Sequence, residues 1–412
     1  HYLKKGEYLP GSKKVSENIL ITKSEKNYKN LEPWIQWPSI HTGKTFEQHK
    51  VFRLGDFVKS KEDQFFEKVE KAGYFVGAVS PMNASNKLKK PAYFIPDPWT
   101  KTPSDNSFLS KILSDSISQA VNDNAQSKIN LMTIIKLILA FIWLVNPARF
   151  FHMFKYVLLA ARKPWRKALF LDKFLFEVHK TLYKRKKPNF STIFLNAGAH
   201  IQHHYFFNSS FSKSSKLINP TWYIKQNEDP FLEMLKVYDE MLLNVLNLPD
   251  TELIIATGLS QRPFNYIKYY YRLKNHKLFL KDLDIKFTDV FPRMTRDFLI
   301  TFDTEEQATQ AETKLSNIVV NDDIKLFGEI DNRGKDIFVV LTFPHEVVEK
   351  TVISLYGKKL FLKKYVSFVA IKNGEHQSKG FVFFSKGILK FAPPDGSHVS
   401  MINRSILQFF SI

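Results

Sequence analysis

Residues 32–56 read EPWIQWPSIHTGKTFEQHKVFRLGD, and the rest of the chain is arranged around them. Trp34, Ile35, Trp37 and Ile40 form an apolar lead-in. Pro33 and Pro38 each remove an amide donor and restrict the residue before them, which predicts a rigid irregular loop in place of a regular helix. Thr42-Gly43-Lys44 then brings a hydroxyl, a residue free to take positive φ and an ammonium into three positions, a pattern suited to backbone approach to an anion. The competing reading is a packed turn with a solvated lysine, which short motifs of this kind more often are.

The 412 residues suffice for a large core and for two or three units of ordinary size. There is no cysteine, which excludes a disulfide framework and a thiolate metal site and leaves His, Asp and Glu as metal ligands. A formal charge of +20 implies an anionic partner: nucleic acid, an acidic membrane surface, or a phosphorylated or acidic glycan. A generally lysine-rich surface without a specific partner gives the same balance. The opening His1-Tyr2-Leu3-Lys4-Lys5 carries no apolar targeting region.

Helix and strand signals alternate downstream, which is α/β grammar. Ser60 and Asp63 ahead of a Phe65, Phe66 and Val69 face predict a helix over 60–72, ended by Gly73. Residues 74–79 predict a strand closed by Pro81. Residues 91–99 hold too much proline for either element and predict an ordered loop. Residues 131–145 are almost entirely apolar but fall short of the ~20 residues of a spanning helix; a helical cap, partly buried against the main domain, is expected. Beyond them, Arg149, Lys155, Arg162, Lys163, Arg166 and Lys167 interleave with Phe150, Phe151, Phe154, Trp165 and Phe170. An interfacial helix on an anionic leaflet uses that mixture, although amphipathic core helices are its commoner source. Lys184-Arg185-Lys186-Lys187 reads as a solvated face or as a phosphate or lipid contact.

Residues 191–196 predict a buried strand, and His200, His203 and His204 follow at its end. Open α/β sheets form ligand sites there, and imidazole is the ligand zinc would use in this chain. Residues 229–246 give the clearest helix, with Phe231, Leu235, Tyr238, Leu242 and Val245 on one stripe, and 253–257 the strand after it. From Arg296 a strand, an acidic helix over 304–315 and a strand over 337–343, with 379–384 later, resemble an RNA-recognition fold, but the order of the parts is wrong for it.

The opening stretch resembles the nucleophile segment of the type I phosphodiesterase and nucleotide pyrophosphatase family, within the alkaline phosphatase superfamily. Trp37-Pro38-Ser39-Ile40-His41-Thr42-Gly43-Lys44, followed by His49, keeps that family's order. Counting back from Trp37, its Thr or Ser nucleophile falls on Pro33, beside Glu32. Gln202-His203 with Tyr205-Phe206 is similar to its metal-binding Gln-His segment, with Ala199 where its Asp stands. Gly374-Glu375-His376 is similar to its closing Gly-x-His segment, whereas 256–261 lack the Asp and His of its second metal.

From Pro33 to Gly387 the resemblance implies an α/β fold: a three-layer α/β/α sandwich with a mixed central sheet and a helical insertion. Its parts would be 1–100 and 191–290 as core, 101–190 as a helical cap or insertion, for which the basic and aromatic mixture above adds a membrane-facing reading, and 291–412 as the C-terminal part completing the core. The family's first strand, with a metal-binding Asp, would lie upstream of His1, making the chain a fragment. The implied activity is that of a divergent phosphodiesterase- or phosphatase-like hydrolase or transferase acting on a phosphorylated or acidic glycan or lipid. Its two-zinc site would be depleted, leaving His203, His376 and His200 for zinc or another divalent metal. Glu32 would be the catalytic base, and Thr42, Lys44 and Arg296 would bind the anion. The alternatives are an inactive protein of the same fold serving as a scaffold at a membrane, and a nucleic-acid binder. The expected location is cytoplasmic, with peripheral association with a membrane.

Overall fold

The computed structural model describes residues 1–27, 31–123, 131–212, 217–293 and 296–412. The chain divides into two compact units, the first made of His1–Ser214, Asn227–Pro263 and Gly374–Ile412, the second of Ser215–Gln226 and Phe264–Asn373. The α/β class read from the sequence holds: helices and strands alternate, and one sheet is mixed.

In the first unit, Ile19–Lys23 pairs antiparallel with Lys379–Phe384 and parallel with Ser397–His398, and Ile254–Ala256 joins the far side of Lys379–Phe384. A separate parallel sheet sets Val76–Val79 between Tyr93–Ile95 and Phe190–Ile193. Val76–Val79 is buried at every position, as expected of a parallel strand covered on both faces. Tyr93–Ile95 corrects the loop expected over 91–99: Pro91 and Pro96 flank the strand, so no ladder donor within it is lost. Phe66, Val76, Phe94, Val382, Phe384 and Ile402 belong to one buried cluster.

The deciding stretch is a helix, Pro33–Thr42, and not the expected irregular loop. Pro33 stands in the first turn, where a missing N–H costs nothing. Pro38 does withhold a donor, from the carbonyl of Trp34 four residues back, but the Asn83 side-chain amide donates to that oxygen at 2.7 Å. Gly43 ends the helix in the left-handed region at φ 77°, its N–H donating to Ser39 O.

The helix expected over 60–72 is the shorter Phe65–Lys71. Gln64, not Ser60 or Asp63, forms the capping box with Glu67, whose carboxylate accepts the Gln64 N–H at 2.7 Å. In Pro230–Leu246 the deep positions are Met234, Val237 and Met241, while the expected stripe is half-buried. Apolar residues cover much of that helix, so periodicity alone does not fix which line of it faces inward. Leu131–Leu144 is helical with only Thr133, Ala140 and Leu144 buried.

The second unit is built on the antiparallel order Phe327–Asn332, Asp336–Leu341, Asp297–Thr301, Asp289–Pro292. Alternate residues of Asp336–Leu341 are buried, the period-two pattern of a sheet covered on one face. Phe298, Ile300, Leu315, Phe327, Ile337 and Val339 lie in its core. Thr304 caps the helix Glu305–Ser316.

Candidate functional site

Three segments of the first unit bring Glu32, His203 and His376 together. His203 lies on the helix Ala197–Tyr205, His376 near the end of the strand Val366–Gln377, and Glu32 is the extended N-cap residue of Pro33–Thr42. His376 Nε2 stands 3.0 Å from His203 Nε2, the rings meeting edge to face at 71°. On its other side His376 Nδ1 is 3.4 Å from a Glu32 carboxylate oxygen, and His203 Nδ1 is 3.4 Å from the Gly374 carbonyl oxygen. The His376 side chain is 11% exposed and that of Glu32 35%, so the chain of groups opens to solvent at its carboxylate end. A carboxylate at a helix N-terminus also sits favourably in the helix field.

The local sequence makes this meeting feasible. Asp172, buried, accepts the N–H groups of Asn196 and Ala197 at 3.2 and 2.8 Å and the Tyr238 hydroxyl at 2.6 Å. Gly198 N–H donates to the same Tyr238 oxygen at 2.8 Å, so four groups pin the start of the histidine helix. Burial pushes the Asp172 carboxyl up to about 6 and the Tyr238 phenol well above its ordinary value. Gly374 lets the strand pass that helix: a Cβ there would lie 2.6 Å from the Gln202 carbonyl oxygen and 2.5 Å from Gln261 Oε1. Only glycine fits that approach.

The other expected site residues lie elsewhere. The ring contacts of His200 are with His204, at 4.8 Å, and Tyr205, and burial pushes its imidazole down to about 4. Thr42 is buried, its hydroxyl donating to Pro38 O at 2.7 Å and accepting the Lys44 N–H at 3.2 Å. Lys44 pairs with Glu62. Thr42-Gly43-Lys44 is therefore a helix end whose hydroxyl and ammonium are engaged with their own neighbours. Arg296 belongs to the second unit, where its guanidinium lies 3.9 Å from the Tyr270 ring centre and donates to Leu341 O at 3.4 Å. His398, given no role by the sequence, has Nε2 3.4 Å from Glu25.

Among the described residues no three His, Asp or Glu side chains form a group that could hold a metal ion. Two imidazole nitrogens converge, but Glu32 meets the opposite nitrogen of His376 and His200 turns to His204. A catalytic zinc takes three protein ligands on one point, and this donor set does not supply them.

Asp172, Tyr238 and Asn83 were not singled out as site-building residues. Asp172 did carry a signal: it is the first carboxylate after residues 131–171, which contain none, and it sits in the apolar run Leu169-Phe170-Leu171. A lone carboxylate in such a run is buried only with partners.

No family model matches this chain, and no curated protein matches it. Among solved structures it is similar to the phosphonoacetate hydrolase from Sinorhizobium meliloti 1021 in complex with phosphonoformate: 13% identity, a TM-score of 0.42, and 98% of this chain and 90% of that one covered. It is also similar to the same hydrolase in complex with phosphonoacetate, at 13% identity and a TM-score of 0.40, with the same coverage.

Proposed function

We propose that this chain is a phosphoryl-ester hydrolase or transferase for a phosphorylated or acidic glycan or lipid, with His203 and His376 as its acid–base pair. The observation that carries the reading is the 3.0 Å approach of the two Nε2 atoms, with Glu32 behind one of them. The charge of +20 favours an anionic substrate, and the sequence resemblance suggests the phosphoryl ester. With Pro33 at the nucleophile position of that resemblance, water is the attacking group. One imidazole takes a proton from water as its oxygen bonds to phosphorus; the other, protonated, gives its proton to the leaving oxygen as the old P–O bond breaks. Substrate and water take the place of the Nε2–Nε2 contact. Glu32 is a positioning residue: at Nδ1 it holds the His376 ring and its tautomer.

The test is turnover of bis(4-nitrophenyl) phosphate by the full chain. His203→Ala and His376→Ala should each lower kcat by roughly a hundred-fold or more, as loss of a general acid or base does. Glu32→Gln should lower it less and shift the pH profile. Wild-type turnover in both histidine variants, or none in the wild type, overturns the reading; the latter leaves the inactive scaffold.

A further inference from the structure

We infer that the helices Leu131–Leu144 and Phe150–Leu159 form a surface that inserts into one leaflet of an anionic lipid bilayer. The inference is independent of the acid–base pair. Leu131–Leu144 is apolar around nearly its whole circumference, and such a helix is either enclosed or lipid-facing. It is not enclosed: Leu131, Ile138, Ile142 and Trp143 are 73%, 52%, 53% and 62% exposed. On Phe150–Leu159 the exposed line is Phe151, Phe154 and Leu158, with Phe151 86% exposed. Lys155 stands on that line, a helical turn from both Phe151 and Leu158.

No single described helix is long and apolar enough to cross a membrane, and Leu131–Leu144 and the helical stretch Pro147–Leu159 are bent by 116° at their junction. Their 14 and 10 residues correspond to about 21 and 15 Å, against about 30 Å of hydrocarbon. The pair therefore has the dimensions of an element lying within a single leaflet, with its backbone donors and acceptors bonded internally.

Charge selects the occupant. Residues 131–171 contain seven lysines and arginines (Lys136, Arg149, Lys155, Arg162, Lys163, Arg166 and Lys167) and no aspartate or glutamate. Arg149, Lys163 and Arg166 are taken up by Glu177 and Glu240, by Glu228 and by Glu233. Lys155, Arg162 and Lys167 are exposed and make no ion pair among the described residues. A second copy docked by the same face would set these cations against their own equivalents; anionic headgroups would neutralise them. Trp143 suits the headgroup boundary, where indole is favoured.

The test is co-sedimentation of the full chain with vesicles of phosphatidylcholine alone and of phosphatidylcholine with one-third phosphatidylglycerol. The wild type should bind the anionic vesicles at least about ten-fold more tightly than the neutral ones. Phe151→Ser/Phe154→Ser/Leu158→Ser, at exposed positions, should lose about ten-fold or more on both, because the apolar contribution is removed. Lys155→Glu/Arg162→Glu/Lys167→Glu should lose only the preference for phosphatidylglycerol. A wild type that stays in solution with both vesicles overturns the inference, as does an apolar triple variant that binds like the wild type. A wild-type dimer that the apolar triple variant converts to monomer, without vesicle binding, overturns it and assigns the face to a second copy.

Discussion

Asn83 donates its side-chain amide to the carbonyl oxygen of Trp34 at 2.7 Å, the oxygen that Pro38 leaves without a helical donor. Its own Oδ1 accepts the Gly55 N–H at 2.9 Å, and the residue is fully buried. Asn83→Ala therefore orphans two backbone groups and should cost roughly 3 kcal/mol of stability. Pro38→Ala restores an N–H to the Pro33–Thr42 helix, so Asn83→Ala/Pro38→Ala should be less destabilised than the two single changes added together. Denaturant midpoints of the four proteins decide it; strict additivity would mean that Asn83 acts elsewhere.

Gly374→Ala tests how strand and histidine helix come so close. The added Cβ would press on the Gln202 backbone carbonyl at 2.6 Å, which a neighbouring side chain cannot relieve by rotating. Overpacking of this kind costs roughly 1–3 kcal/mol, and here it pushes His376 and His203 apart. Melting temperature and phosphodiester turnover should fall together. Gln261→Ala in the same chain should not rescue them, since the backbone clash persists.

His41 links stability to pH. It is buried among Phe65, Phe66 and Trp37, its Nδ1 has no hydrogen-bond partner among the described residues, and burial pushes its imidazole down to about 3. Between the ordinary value near 6.5 and that folded value, the unfolded chain binds a proton that the folded chain does not. Stability is therefore fully present above pH 6.5 and lost as pH falls, by about 1.4 kcal/mol per unit for this group. His49, His179 and His200, each lowered to about 4 by burial, act in the same direction. Asp172, raised to about 6 by burial, acts in the other: its contribution is present at low pH and lost as pH rises through 6. His41→Phe should be less acid-sensitive than the wild type by one proton in urea titrations at pH 7, 6 and 5. Equal slopes would place the His41 ring in water.

Tyr238→Phe removes the hydroxyl joining Asp172 to Gly198 N–H. Leaving that amide without its acceptor should cost roughly 1–3 kcal/mol. Because the start of the Ala197–Tyr205 helix is held through that oxygen, turnover should fall by more than the unfolded fraction accounts for. Unchanged kcat in the folded fraction would mean that Asp172 alone holds the helix.

The sequence made part of this legible. The strand Val76–Val79, buried throughout, and the helix Pro230–Leu246 are short-range patterns that the sequence carries, whereas the buried strand expected over 191–196 is Phe190–Ile193 and half-buried at every position. Glu32, His203 and His376 were named as site residues from the resemblance, and the structure brings them together; their chemical roles are the proposal above. Thr42 and Lys44 are harder to read, because a hydroxyl, a glycine and an ammonium at a helix end look the same in sequence whether they face an anion or are engaged, as here, by Pro38 and Glu62. The Pro33–Thr42 helix was hidden for a related reason. Its permission to form lies in Asn83, about fifty residues away, and no local rule reports a distant donor.

The most direct measurement is the rate of bis(4-nitrophenyl) phosphate hydrolysis by the wild type, His203→Ala, His376→Ala and the double variant. If the two imidazoles act as one unit, each single change should cost nearly as much as both together. A wild type no faster than the double variant, or two losses that simply add, would contradict a functional pair at this contact.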